Sequence, residues 1–105
     1  EIAVEMQVSR MINYKAAWLL NQGKSISWES SVVKVFADEL GQRLAHVGLQ
    51  ILGPEVQLGE DPKWTKLRKR FTFLYKFCRG LSLAGGTSEI QRMTIATRGL
   101  ALPRG

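Results

Sequence analysis

Apolar residues recur every three to four positions along most of this chain, and that spacing is the feature that most limits its fold. Such a period is typical of amphipathic α-helices, whereas half-buried strands alternate every two residues. No stretch of the chain shows a convincing strand pattern. Because short connections join the helical segments, we predict an all-α fold, a four-helix up-and-down bundle that forms one domain.

Start and stop signals place the first two helices. The first is predicted over residues 1–22 and the second over residues 27–52. Gly53 and Pro54 end the second helix, because proline cannot continue a helix and glycine favours its termination. Residues 54–60 are therefore predicted to form a loop.

The third helix has a clear start signal in Asp61 followed by Pro62, a capping carboxylate before a proline suited to the first helical position. This helix is predicted over residues 62–79, with Gly80 beyond its end. Each helix has an apolar stripe that we predict to be buried. These stripes are Val4, Val8, Met11, Trp18, Ile12, Ala16 and Leu19 in the first helix, Val32, Val33, Phe36, Leu40, Leu44, Val47 and Ile51 in the second, and Trp64, Leu67, Phe71, Leu74, Tyr75 and Cys78 in the third.

Paired glycines, Gly85 and Gly86, lead into the predicted fourth helix. Ser88 followed by Gln91 fits a capping box, so this helix is predicted over residues 88–99. Glycine lets a ligand approach the backbone closely, and a helix N-terminus attracts anions. The turn is a candidate phosphate or flavin contact, although glycine before a helix is also typical of a simple turn without a ligand.

The chain offers few groups for catalysis. Its single histidine, His46, lies inside a predicted helix and is interpreted as structural. With no second histidine and no cysteine pair, we expect no metal site. Cys78 is interpreted as a buried, inert thiol that has no partner for an internal disulfide.

The net charge of +6 favours anionic partners and is concentrated in the third helix. Its cations are Lys63, Lys66, Arg68, Lys69, Arg70, Lys76 and Arg79. Trp64, Phe71 and Tyr75 are interleaved with them, so a nucleic-acid-binding module is an alternative function. Because these aromatic positions also fit a helical core, we expect no nucleic-acid partner. With no apolar run near the roughly 18 residues of a membrane span and no visible signal peptide, we expect a cytoplasmic protein without a membrane partner.

The C-terminal part of the chain resembles the closing signature of acyl-CoA dehydrogenases. The matching residues are Gly86-Thr87-Ser88-Glu89-Ile90-Gln91-Arg92, Ile95-Ala96, Arg98-Gly99-Leu100 and Leu102-Pro103-Arg104. Earlier blocks resemble the same family, namely Arg10-Met11, Ala16-Ala17-Trp18, Lys34-Val35-Phe36-Ala37 and Gln50-Ile51-Leu52-Gly53. The resemblance covers nearly the whole chain and is weakest over residues 54–80, which are longer and more basic than usual.

This resemblance implies a bundle of the acyl-CoA dehydrogenase C-terminal type, with the N-terminal helical and middle β domains lying outside these 105 residues. Family members oxidise an acyl-CoA thioester to the 2,3-enoyl-CoA. A glutamate removes the α-proton, and FAD receives the hydride. The helical bundles associate into homo- or hetero-oligomers, and FAD sits between subunits.

The resemblance also implies which residues contact FAD. They are Gln50, Gly53, Gly86, Thr87 and Glu89. The first two resemble the segment that reaches the diphosphate or ADP portion of a neighbouring subunit's cofactor. Pro54 departs from the family pattern, since a second glycine often stands there, and proline has no N–H to offer a diphosphate.

Gly85 stands where many relatives have the glutamate base, and it can move no proton. We therefore predict no catalytic residue in this chain and no dehydrogenase activity for the isolated chain. The base would lie on an upstream helix, or the parent would be a non-catalytic structural or partner subunit of a heteromeric dehydrogenase.

Overall fold

The fold is built around one long helix, against which the other three helices pack. The computed structural model describes residues 1–58 and 62–104. Its helices are α1 (Ile2–Asn21), α2 (Glu29–Leu58), α3 (Pro62–Leu81) and α4 (Ser88–Thr94), and a π-helical turn (Ile95–Gly99) continues α4. The described residues contain no strand. The all-α prediction is confirmed.

The helices α1 and α2 form an antiparallel hairpin. At one end, the guanidinium of Arg43 donates to the carboxylate of Glu5 at 2.5 and 2.9 Å. At the other end, Ile12, Ala16 and Val32 line one small cavity between the helices. Among the described residues, α1 contacts α2 but neither α3 nor α4.

The apolar stripe that faces α2 is only part of the one predicted for α1. Ala16 is buried, and Ile12 and Leu19 are half-buried. The predicted core residues Val4, Val8, Met11 and Trp18 are exposed, which makes that part of the prediction wrong. The physical reason is that α1 has two apolar stripes on different sides, and within the described chain α2 covers one of them.

Small residues on α2 bring α3 close. Ala45 is fully buried, and a Cβ placed on Gly41 would stand 2.8 Å from the Sγ of Cys78. A Cβ on Gly48 would overlap the ring of Phe71. These contacts set the distance between the two helix axes, because only glycine leaves room for the facing side chains.

A kink at Gly53 interrupts α2. This residue has φ 70° and ψ 170°, a conformation that glycine adopts without strain, and the helix resumes to Leu58. The predicted loop over residues 54–60 is therefore wrong for residues 54–58, since proline suits the first position after a break. The predicted capping residue Asp61 lies outside the described residues.

The predicted start of α3 is confirmed, and its predicted end is two residues short. Pro62 begins α3 as expected, and the helix continues to Leu81 with Gly80 inside it. No heavy atom lies near the place that a Cβ on Gly80 would take, and its φ is not positive. This glycine is therefore an ordinary helical residue rather than a stop.

The core of the described chain is thin. Its buried apolar residues are Ala16, Leu40, Ala45 and Cys78, and no large side chain in the described part is fully buried. Ile51, predicted to be in the core, is 80% exposed. The radius of gyration is 17.2 Å, against about 13 Å for a compact domain of 100 residues. The helices therefore present broad apolar surfaces that the rest of the described chain does not cover.

Candidate functional site

The turn between α3 and α4 has a backbone that requires glycine. Gly85 has φ 66° and Gly86 has φ 100°, in the left-handed region that other residues adopt only with strain. The N–H groups of Leu83 and Ala84 donate back to the carbonyl of Gly80 at 3.1 Å, so α3 unwinds gradually into this turn. Gly85 is exposed, whereas Gly86 is half-buried against the side chain of Gln91. The ligand contact of this turn stays a prediction.

Thr87, and not Ser88, caps α4. The hydroxyl oxygen of Thr87 accepts a hydrogen bond from the N–H of Ile90 at 3.4 Å, and Ser88 is the first helical residue. The predicted capping box is therefore displaced by one residue. Its second member also acts differently, because the side chain of Gln91 donates to the carbonyl of Gly85 at 2.9 Å. The reason is that Gly86 brings the turn back over the helix start, within reach of the longer amide.

Glu89 is an exposed carboxylate in the first turn of α4. Hydrogen bonds to its ionised form lower the pKa of the Glu89 carboxyl. The larger effect comes from its own backbone N–H and the smaller one from the hydroxyl of Thr87. This side chain is therefore an ionised acceptor at neutral pH. It suits a hydroxyl donor and repels a phosphate.

Gln50 and Gly53 lie far from the glycine turn. Gln50 is exposed on α2 shortly before the kink, and open space surrounds the position that a Cβ on Gly53 would take. The turn lies near Lys34, since a Cβ on Gly85 would stand 3.5 Å from its Cε. Sixteen residues of helix separate Lys34 from Gln50, which corresponds to about 24 Å. Within one chain, the predicted contacts therefore form two separate groups.

Sequence reasoning missed two charged residues beside the turn. Lys34 is half-buried, and Asp38 is buried with 9% of its surface exposed. Their side chains form an ion pair with 2.6 Å between Nζ and Oδ2. The signal was available, because Lys34 and Asp38 are spaced four apart among the apolar residues of α2, where charge is costly unless it is paired.

The other candidate groups, His46 and Cys78, lie on α2 and α3. His46 is exposed and borders a cleft of about 620 Å³ that Glu5, Arg43 and Val47 also line. Cys78 is buried, as predicted, and burial followed by the charge of Asp38 raises the pKa of its thiol. The described residues hold no cluster of three metal-binding side chains, and none of the described helices is long and apolar enough to cross a membrane.

Comparison with known proteins gives one consistent result. Residues 1–100 match the family model described as "Acyl-CoA dehydrogenase, C-terminal domain". No solved structure gives a significant match.

Individual relatives agree with that match. The mitochondrial short-chain specific acyl-CoA dehydrogenase of Rattus norvegicus is 31% identical over 96 residues, which cover 91% of this chain and 21% of the relative. The probable acyl-CoA dehydrogenase YngJ of Bacillus subtilis is 30% identical, with 91% and 23% covered. The caffeyl-CoA reductase-Etf complex subunit CarC of Acetobacterium woodii is 26% identical over 96 residues, which cover 91% of this chain and 23% of the relative. The chain spans about a fifth of the length of these relatives.

Proposed function

Because this chain belongs to the acyl-CoA dehydrogenase family as a C-terminal domain, we propose that it is the FAD-binding and oligomerisation domain of a longer enzyme. That parent would oxidise an acyl-CoA thioester to the 2,3-enoyl-CoA. The N-terminal helical and middle β domains would come from the rest of the parent polypeptide. FAD, when bound, would supply the electron acceptor, and the role of this chain would be to hold and orient it.

The glycine turn is the observation that carries the cofactor proposal. Gly85 is exposed and has no side chain, so a flat ring can come close to its backbone. On the inner side of the turn, the amide of Gln91 lies 2.8 Å from the place that a Cβ on Gly86 would take. Thr87 adds a hydroxyl beside that opening. These groups fit an isoalloxazine edge, which needs close approach and a polar contact.

Glu89 has a different role in this proposal. An ionised carboxylate accepts hydrogen bonds and disfavours a neighbouring phosphate. We therefore assign Glu89 to hydroxyl groups of the cofactor's ribityl or ribose portion, and not to its diphosphate.

The distance between the two groups of predicted contacts supports an oligomer. Gln50 lies about 24 Å along α2 from Lys34, the residue beside the glycine turn, and Gly53 lies farther on. An arrangement in which each group contacts the cofactor of a different subunit accounts for this separation. The exposed apolar side chains of α1 are consistent with assembly, since large apolar patches mark interfaces.

Gly85 has no carboxylate, so we propose that the catalytic base lies outside this chain. In the proposal it lies either on an upstream helix of the parent or on a second subunit. The relative from Acetobacterium woodii is by its name a subunit of a complex, so a heteromeric assembly for the parent is a direct alternative.

The test is FAD content and turnover of the full-length parent, purified alone and together with the product of its neighbouring gene. Stoichiometric FAD with acyl-CoA-dependent dye reduction by the parent alone supports the upstream base. Activity that requires the second subunit supports the partner role. A parent that purifies without FAD and regains none on addition of FAD contradicts the proposal.

A second candidate function is binding of nucleic acid by α3. The observation that favours it is that Phe73 and Phe77 are exposed and stacked, with 5.4 Å between ring centroids. Lys69 and Lys76 are exposed on the same helix. A strongly salt-dependent shift of DNA that is lost in Phe73→Ala would support this function, and no shift at low salt would exclude it.

A further inference from the structure

Lys34 stands where three parts of the molecule meet. It belongs to α2, and its Nζ donates to Asp38 Oδ2 at 2.6 Å and to the carbonyl oxygen of Leu81 at 3.1 Å. Leu81 is the last residue of α3. The Cε of Lys34 also lies 3.5 Å from the position that a Cβ on Gly85 would take. One side chain therefore contacts the end of α3 and borders the glycine turn.

The contact with Leu81 works as a cap supplied by another helix. The last carbonyl groups of a helix have no intrahelical donor, and the negative end of the helix dipole favours a cation. A charged ammonium donor makes a stronger hydrogen bond than a neutral one. Lys34 thus fixes the residue at which α3 stops.

Asp38 holds the ammonium in place. The side chains of Lys34 and Asp38 are 24% and 11% exposed, so the pair is better shielded from water than a surface ion pair. Removing one partner leaves the other charge without compensation in a poorly solvated place. The pair therefore has one preferred geometry, directed at the end of α3.

The glycine turn is held from its other side as well. Gln91 donates to the carbonyl of Gly85 at 2.9 Å, and Arg92 forms an ion pair with Glu39 that ties α4 to α2. Only residues 82–84 separate the capped Leu81 from Gly85. A change in where α3 stops would therefore move the turn directly.

We propose that Lys34, oriented by Asp38, is a positioning residue that fixes the Gly85–Gly86 turn in the conformation that receives the flavin. The identity of the ligand rests on the function proposed above, whereas the fixing of the turn rests on the contacts alone. A turn that is already ordered loses less conformational freedom on binding, so the positioning strengthens cofactor binding.

The test compares Lys34→Met and Asp38→Asn in the full-length parent with Lys76→Met, a matched loss of a lysine that is exposed on α3. The first readout is FAD affinity, measured by quenching of flavin fluorescence. The second is the visible circular dichroism of the bound flavin. We expect Lys34→Met to weaken FAD binding roughly tenfold and to change the flavin spectrum. Asp38→Asn should change the affinity and the spectrum in the same direction but less. Lys34→Arg, which keeps the positive charge, should have the FAD affinity and the flavin spectrum of wild type.

A third readout needs no cofactor. Chymotrypsin cleavage after the exposed Leu83 should be faster in Lys34→Met than in wild type or Lys76→Met, with cleavage sites identified by mass spectrometry. If wild type lacks FAD altogether, the proposed function fails, and cleavage alone decides the positioning role. Equal FAD affinity, spectrum and cleavage in Lys34→Met and Lys76→Met overturn the inference. If Lys34→Met does not fold, Asp38→Asn decides it by the same three measurements.

Discussion

Gly48 lies where α2 and α3 are in close contact, and replacing it with alanine tests what sets their separation. The added Cβ would overlap the ring of Phe71, which would have to move and push against its neighbours. Overpacking of this kind costs about 1–3 kcal/mol. Alanine in a helix gains about 1 kcal/mol over glycine. We therefore expect Gly48→Ala to lower the free energy of unfolding by about 1 kcal/mol.

The matched control is Gly80→Ala in α3. Apart from its chain neighbours and the backbone of its own helix, no heavy atom lies within 4 Å of its added Cβ, so only the gain in helix propensity remains. This variant should be more stable than wild type by about 1 kcal/mol. The same chemical change should thus act with opposite sign at two helical glycines, with a separation of about 2 kcal/mol.

The assay is urea unfolding followed by far-UV circular dichroism, with all variants at one protein concentration because association adds to stability. A Phe71→Leu background removes the ring, so the cost of Gly48→Ala should shrink there. Two results would refute the reasoning. One is a Gly48→Ala variant that is stabilised like Gly80→Ala, and the other is a cost that Phe71→Leu leaves unchanged.

Four further predictions concern the turn, the thiol and the chain as a whole. Thr87→Ala should lower the free energy of unfolding by about 1 kcal/mol through loss of the helix cap, while Thr87→Ser keeps the cap and serves as the control in the same urea assay. Cys78 should react slowly with a disulfide reagent in the folded chain and rapidly in denaturant; equal rates would contradict its burial. Burial and the charge of Asp38 raise the pKa of the Cys78 thiol, so on raising the pH the thiol loses its proton in the unfolded chain before it does so in the folded chain. The free energy of unfolding should therefore fall as pH rises through the ordinary thiol range, and it should fall less in Cys78→Ala. The isolated chain should reduce no ferrocenium dye with acyl-CoA above a buffer control, since its glycine turn has no base; clear turnover would refute this.

The periodicity of the sequence predicted the helices well because apolar spacing and proline positions act locally. Pro62 begins α3 as expected, and the helical end predicted near Gly99 agrees with the end of the π-helical turn that continues α4. What could not be predicted depends on neighbours in space. The two apolar stripes of α1 look alike in sequence, and only the position of α2 decides which one is covered.

The same distinction applies at the candidate site. The glycine turn was predicted from its composition, and both glycines have the positive φ that makes glycine necessary. The shift of the cap from Ser88 to Thr87 depends on how Gly86 turns the backbone, which local rules do not specify. The role of Lys34 depends on a carbonyl 47 positions away in the chain, beyond the reach of any local pattern.

The thin core has a consequence for how cells would handle this protein. A subunit whose large apolar side chains, such as Trp18 and Met11, remain half or more exposed offers chaperones and proteases the surface they use to recognise unfinished proteins. In the oligomer proposed above, its survival would depend on how quickly it meets the other subunits. We expect its melting temperature to rise with protein concentration, as it does for chains whose folding and association are one equilibrium. Synthesis in excess of its partners would lead to turnover of the surplus, so the amount of assembled protein would follow the scarcer component.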